Sequence, residues 1–198
     1  MTYHAAVSSS NLEELRRLLV EQPQNIDELN EKKETPLLVA VHNNNVPVAQ
    51  ILIEAGANLN IQDQIQDSPY LYAGAHGRSD ILRLMLKRSD IDFTVYNRYG
   101  GNCIIPASEK GHLENVRILL ADGRENINHI NRLNWTALLE IVYYDNDDQL
   151  YQDIARALLE GGADPNIRCG HGKTALQYAK EKGFKNLEQL IIDFGGKE

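Results

Sequence analysis

The sequence predicts an all-α fold, a solenoid of stacked helix-turn-helix units joined by hairpin loops. Three observations carry that prediction. First, the chain is self-similar. ETPLLVAVHNN, DSPYLYAGAHG, GNCIIPASEKG, WTALLEIVYYD and KTALQYAKEKG align, with Thr35, Ser68, Asn102, Thr136 and Thr174 in register at intervals of 33, 34, 34 and 38 residues. A truncated sixth copy, TYHAAVSSSNLEELRRLL, opens the chain. A fixed period of roughly 20 to 50 residues marks stacked-repeat architectures. Second, five places past the Thr-like residue stand Ala40, Ala73, Ala107 and Ala179, with Ala6 in the matching place of the first copy and Ile141 as the exception. A small residue there lets neighbouring helices approach closely. Third, nine places past it stand Asn44, Gly77, Gly111, Asp145 and Gly183, with Ser10 in the first copy. A tight turn between two helices needs a left-handed residue, and Gly, Asn and Asp tolerate that conformation best.

The elements follow in order within each copy. Thr35, Ser68, Asn102, Thr136 and Thr174 can each cap a short first helix through the side-chain oxygen. Pro36 then falls at the first helical position, where its missing N–H costs nothing. After the turn, a second helix carries apolar residues at helical spacing: Leu15, Leu18 and Leu19; Val48, Ile51 and Leu52; Ile81, Leu84 and Met85. The stripe continues through Val116, Leu119 and Leu120, then Ile154, Leu158 and Leu159, then Leu187, Leu190 and Ile191. One unit cannot bury such a stripe alone, but stacked neighbours can. This places approximate repeats at 1–29, 30–62, 63–96, 97–130, 131–168 and 169–198 of a single domain. The outer copies are expected to be caps. Glu13, Glu14, Arg16 and Arg17 suit a wetted first face, and Lys182, Lys185, Glu188 and Gln189 a wetted last one. The fifth copy runs 38 residues instead of 33, and the excess is expected between its helices, within residues 145–152, as a surface loop.

This pattern resembles the ankyrin repeat, with its period near 33 and its Thr-Pro-Leu-His-x-Ala core. The resemblance rests on Thr35-Pro36-Leu37 with Ala40, and on Gly161-Gly162-Ala163-Asp164-Pro165-Asn166. It covers residues 2 to 195. Leu38, Leu71, Ile105, Leu139 and Gln177 stand where the motif has His, and only His4 keeps it. The fifth copy, NRLNWTALLE with its lengthened turn, also looks like a branch of bacterial ankyrin proteins. The resemblance implies a non-enzymatic module that binds another protein on a concave face, built from hairpin tips and the exposed ends of first helices.

Composition excludes several other classes. Of 198 residues, 42% are hydrophobic and 24% charged, which suits a folded chain. Lys and Arg number 20 against 28 Asp and Glu, a net charge of −8, so no basic face is expected for nucleic acid. No apolar run is long enough to span a membrane. The first residues lack a secretory signal pattern, so we expect a cytoplasmic monomer. Two cysteines, Cys103 and Cys169, cannot build a disulfide scaffold or a four-cysteine zinc site. We expect Cys103 in the core and Cys169 partly exposed in a hairpin loop.

The candidate chemistry is thin. Gly172-Lys173-Thr174 resembles the end of a phosphate-binding loop, but Ile167 stands where that loop needs Gly. Counting a calcium loop from Asp145 puts Leu150 where Gly is required and Arg156 where Glu is required. The six histidines form no pair at ligand spacing, and there is no Gly-x-Ser-x-Gly elbow. We therefore expect no enzyme, no cofactor and no metal centre. An alternative is a small-molecule or cation sensor that uses the acidic insertion of the fifth copy.

The implied working surface can be placed residue by residue. Hairpin tips contribute Arg98 and Tyr99, then Arg132, Leu133 and Trp135, then His171 and Lys173. First-helix ends contribute His42, His76, Lys110, Tyr143 and Tyr144. Large aromatic and apolar residues gather in copies four and five, beside arginines. Tyr, Trp and Arg are the usual anchors of protein interfaces, so the hot spot is expected there. Replacing Trp135 and Tyr144 is expected to abolish binding at little cost in stability; the alternative is that Trp135 lies across a neighbouring hairpin and Tyr143 or Tyr144 packs under the insertion, which a large drop in melting temperature would favour.

Overall fold

The computed structural model describes residues 1–144 and 146–198. Among them, twelve α-helices run in six pairs and no strand occurs. The pairs are α1 (Tyr3–Ser8) with α2 (Leu12–Glu21), α3 (Pro36–His42) with α4 (Val46–Glu54), and α5 (Pro69–Ala75) with α6 (Ser79–Leu86). They continue as α7 (Ile104–Glu109) with α8 (Leu113–Asp122), α9 (Ala137–Tyr144) with α10 (Gln149–Glu160), and α11 (Ala175–Lys182) with α12 (Lys185–Asp193).

The chain divides into two compact units. The first comprises Met1–Ala73 and Arg78–Arg98, and the second comprises Gly74–Gly77 and Tyr99–Glu198. In the first unit α1 packs on α3, α2 on α4 and α4 on α6. In the second, α7 packs on α9 and α9 on α11, while α8 packs on α10 and α10 on α12. First helices therefore stack on first helices, and second helices on second helices. In the first helices, Ala6, Ala40 and Ala73 of the first unit and Ala107, Ile141 and Ala179 of the second are all fully buried. The stripe residues Leu15, Val48, Ile81, Val116, Ile154 and Leu187 are buried in the second helices.

The turns follow the spacing. Ser10, Asn44, Gly77, Gly111 and Gly183 all have positive φ, between 50° and 73°. Asp145, expected in the same role, lies outside the described residues. A second left-handed row sits two residues before each capping position: Lys33, Gln66, Gly100, Asn134 and Gly172. It marks the hairpin tips. At Gly100 a Cβ would lie 2.6 Å from Arg132 Cγ, so this tip requires glycine for space as well as conformation.

Caps form where Thr or Ser is present. Thr35 Oγ1 accepts from Leu38 N at 3.1 Å, Ser68 Oγ from Leu71 N at 3.2 Å, and Thr136 Oγ1 from Leu139 N at 3.3 Å. Thr174 closes a reciprocal capping box with Gln177. Asn102 departs from this expectation. Its amide donates instead to the Asn126 carbonyl at 2.9 Å, and α7 begins one residue later. The helix start is satisfied from a distance by Glu125, whose carboxylate accepts from Cys103 N at 3.2 Å and Ile104 N at 3.1 Å.

The extra length of the fifth repeat goes mostly into helix rather than loop. α9 has 8 residues where α3 has 7, and α10 has 12 where α4 has 9. Asp148 caps α10 by accepting from Tyr151 N at 3.2 Å. Asp147 reaches the next repeat. Its two carboxylate oxygens accept from Asn186 N and Leu187 N, each at 2.9 Å, at the start of α12. An anion at a helix N-terminus is stabilised by the free N–H groups there. Tyr151 ties back to the Glu109 carbonyl at 3.2 Å. The insertion thus clamps repeat five to its two neighbours.

Candidate protein-binding surface

Hairpins four, five and six line up through the second unit. The Arg132 N–H donates to the Tyr99 carbonyl at 2.9 Å, which sets the tips of repeats four and five side by side. Each tip is closed by a side chain five residues before the capping position. Asn131 Oδ1 accepts from Leu133 N at 2.9 Å and Trp135 N at 3.0 Å. Asn30 and Asp63 do the same in repeats two and three.

In repeat six that place is held by Cys169, whose sulfur receives the His171 N–H at 3.4 Å. This is why Cys169 is buried rather than partly exposed. Burial pushes its thiol pKa up, but the Tyr178 hydroxyl at 3.3 Å and the backbone N–H groups of His171 and Lys173 outweigh it and hold the pKa below the usual value. Cys103 is in the core as expected, against Gly74, where a Cβ would come within 1.8 Å of its sulfur.

The aromatic residues of repeat five converge with one from repeat six. The Trp135 ring lies 4.5 Å from Tyr143, 6.1 Å from Tyr144 and 5.6 Å from Tyr178. Tyr143 meets Tyr144 and Tyr178 edge-on, at 4.7 and 5.1 Å. The sequence reading does not name Tyr178 as a surface residue. Its signal was its place four residues past Thr174, facing the previous repeat. The cluster has a floor and a surface. Trp135 is 5% exposed and Tyr178 is 6% exposed, whereas Tyr144 is 57%, Tyr99 51% and Leu133 49% exposed.

Trp135 is therefore not the outward anchor that sequence suggested. It supports the tyrosines above it. Its removal should therefore cost more stability than the sequence reading expects, because emptying a buried indole site is expensive. Burial chiefly, with Glu140, Tyr143 and Glu109, raises the pKa of Tyr144, so the phenol stays protonated and apolar at neutral pH.

Cations frame the cluster. Lys182 Nζ lies 5.3 Å over the Tyr143 ring and also donates to the Tyr143 carbonyl at the end of α9. Lys173 Nζ lies 5.3 Å over Tyr178 and 2.7 Å from Glu181. Lys110 meets His76 at 3.3 Å, and His171 is exposed at the last tip. Glu140 turns inward, accepting from Asn131 Nδ2 at 2.7 Å.

Two expected residues belong to the first unit. His42 stacks on Tyr72 at 4.2 Å and points Nδ1 at Glu34, 3.3 Å away. Arg98 lies 3.8 Å from Asp67. Nothing in the described residues groups three or more His, Cys, Asp or Glu side chains as a metal site. Nor is any described helix long and apolar enough to cross a membrane.

A family model for ankyrin repeats matches residues 3–97, 72–169 and 104–197. The chain belongs to the ankyrin-repeat family. It is 39% identical over 146 residues to the putative ankyrin repeat protein YahD of Escherichia coli, covering 74% of this chain and 72% of that one. The crystal structure of the ankyrin repeat protein EF0377 superposes with a TM-score of 0.93 at 44% identity, over 96% of both chains. An ankyrin repeat domain from Acinetobacter baumannii, ABAYE2397, superposes equally well, at 44% identity over 98% of both chains. Ankyrin repeats generally serve as protein–protein interaction modules rather than as enzymes, and the all-α repeat solenoid is the fold expected of them.

Proposed function

We propose that this chain is a protein-binding module whose working surface lies on repeats four to six. The surface comprises the hairpin tips and first-helix ends that form the concave face in an ankyrin solenoid. One observation carries the proposal: Tyr144, 57% exposed, lies against the buried Trp135–Tyr178 pair, and Tyr99 and Leu133, each about half exposed, stand on the adjoining hairpin tips of repeats four and five. Soluble proteins place scattered apolar residues outside, but a cluster supported by a rigid aromatic base suits a partner. The partner would dock on a preformed surface and lose little freedom in ordering it.

The test is affinity capture with the wild type and with Leu133→Ala/Tyr144→Ala. Both substituted residues are exposed, so the variant is expected to melt within about 3 °C of the wild type. A protein retained by the wild type and released by the variant supports the surface. Equal retention by both moves the site elsewhere.

A further inference from the structure

We infer that the partner presents an acidic segment carrying an apolar anchor, and that this surface selects it by charge. The inference rests on the surface proposed above. The chain as a whole is strongly acidic, with 28 carboxylate side chains against 20 cationic ones. At the hairpin tips and first-helix ends of repeats four to six the balance is reversed. Arg132, Lys110, Lys173 and Lys182 lie there. Against them, among the described residues, stand the outward carboxylates Glu109 and Glu181 at these positions, and Asp147 and Asp148 in the turn after Tyr144, which are engaged in capping α12 and α10. Glu181 is already paired with Lys173, and Glu140 is 5% exposed and hydrogen-bonded inward.

Lys110 and Lys182 have no carboxylate within ion-pair distance among the described residues, although each has a polar contact, to His76 and to the Tyr143 carbonyl. Lys110 follows α7 directly and Lys182 ends α11, on either side of α9, which carries Tyr144. An incoming segment can therefore set an apolar residue on Tyr144 and Leu133 while its carboxylates reach Lys110 and Lys182. The acidic remainder of the chain opposes approach from afar, but at about 0.15 M salt charges beyond about 8 Å are largely screened and the local cations decide. A basic segment gains nothing here and meets the cations directly.

The experiment is selection of random-sequence peptides displayed on phage, with the full chain as target. Enriched peptides are then synthesised and titrated, following the fluorescence of Trp135, the only tryptophan, which lies beneath the surface. We expect enriched peptides rich in Asp or Glu with a large apolar residue. Their affinity should fall about tenfold or more in Lys110→Gln/Lys182→Gln, and similarly when peptide Glu is changed to Gln or salt is raised from about 0.05 to 0.5 M.

Neutral or basic peptides that lose affinity in Leu133→Ala/Tyr144→Ala but not in the lysine variant would overturn the acidic partner and leave the surface standing. Peptides insensitive to both variants, or no enrichment at all, would overturn the surface and the inference together. Circular dichroism melting of both variants, expected to match the wild type, separates loss of binding from loss of fold.

Discussion

Repeats two and five use the same pair of backbone positions for opposite ends. In each, the residue before the capping Thr meets the residue seven places past it, so that a hairpin tip touches the end of its own first helix. In repeat two the pair is Glu34 and His42, 3.3 Å apart and ionisable. In repeat five it is Trp135 and Tyr143, an aromatic pair with ring centroids 4.5 Å apart. Repeat six makes the same contact a third way, with Lys173 and Glu181 at 2.7 Å. The repeat geometry decides which positions touch. The side chains decide whether the contact titrates, packs or draws a partner. The largest effects should come from breaking the packed version, and the smallest from breaking the exposed ionic one.

Trp135→Ala should be the most damaging of these changes. It removes a buried indole from a cluster of three tyrosines, a loss of about 3–5 kcal/mol, visible as a large fall in the chemical-denaturation midpoint followed by circular dichroism. Glu34→Ala at the equivalent position should cost about 1–3 kcal/mol, because it removes the His42 contact and the hydrogen bond from Asn30 Nδ2 but leaves no large cavity. Equal losses would show that the two contacts are not different in kind. Repeat four sharpens the contrast, since Gly101 holds the tip position there and brings no side chain. Its helix start depends on Glu125 instead. Glu125→Ala leaves Cys103 N and Ile104 N without that acceptor and should cost about 1–3 kcal/mol, checked by the same denaturation.

Much of this was readable from the sequence, and the failures have physical reasons. The period, the burial of the small-residue row and the left-handed turns follow from single-residue chemistry at fixed spacing, so they could be placed at once. The hairpin-tip and helix-end residues could be named for the same reason. Their pairing could not, because it depends on the path of the tip over its own helix. Asn102 has the chemistry of a cap, but Glu125 lies 23 residues further on in sequence and reaches the site only in three dimensions. Cys169 occupies the place filled by Asn or Asp in the other hairpins, and sequence alone did not show that its thiol accepts the same backbone N–H. The insertion looked like a loop because length cannot distinguish a longer turn from extra helical residues. Asp147 was read as part of an acidic stretch, whereas it caps the helix of the next repeat.

The ionisable contact of repeat two should make the first unit sensitive to acid. Burial chiefly depresses the His42 pKa, against the pull of Glu34, Asp63 and Asp67, with Lys32 adding to the depression. The unfolded chain therefore takes up this proton more readily than the folded one. The associated stability is fully present above the ordinary histidine pKa and is lost as pH falls through it toward the depressed folded value. Protection of the α3 amides, corrected for intrinsic exchange, should fall between about pH 7 and pH 5, and His42→Gln should flatten that dependence. The matching amides of α9, under the Trp135–Tyr143 contact, should show no comparable step beyond intrinsic exchange. Identical pH profiles in the two helices would remove titration as the distinction between them.

The ionic version in repeat six should matter least for folding. Lys173 is 40% exposed and Glu181 52% exposed, so water screens the pair and competes for both ends. A double-mutant cycle with Lys173→Gln and Glu181→Gln should return a coupling of about 0.2–1 kcal/mol. The two single variants should nevertheless part company in binding. Lys173→Gln removes a cation from the proposed surface and should weaken an acidic segment, whereas Glu181→Gln releases Lys173 from its internal partner and should strengthen it. Opposite signs in binding, with near-equal and small effects on stability, would show that this contact serves to set the charge of the surface rather than to hold the repeat together. A coupling as large as the loss caused by Trp135→Ala would instead make repeat six the stabilising member of the series.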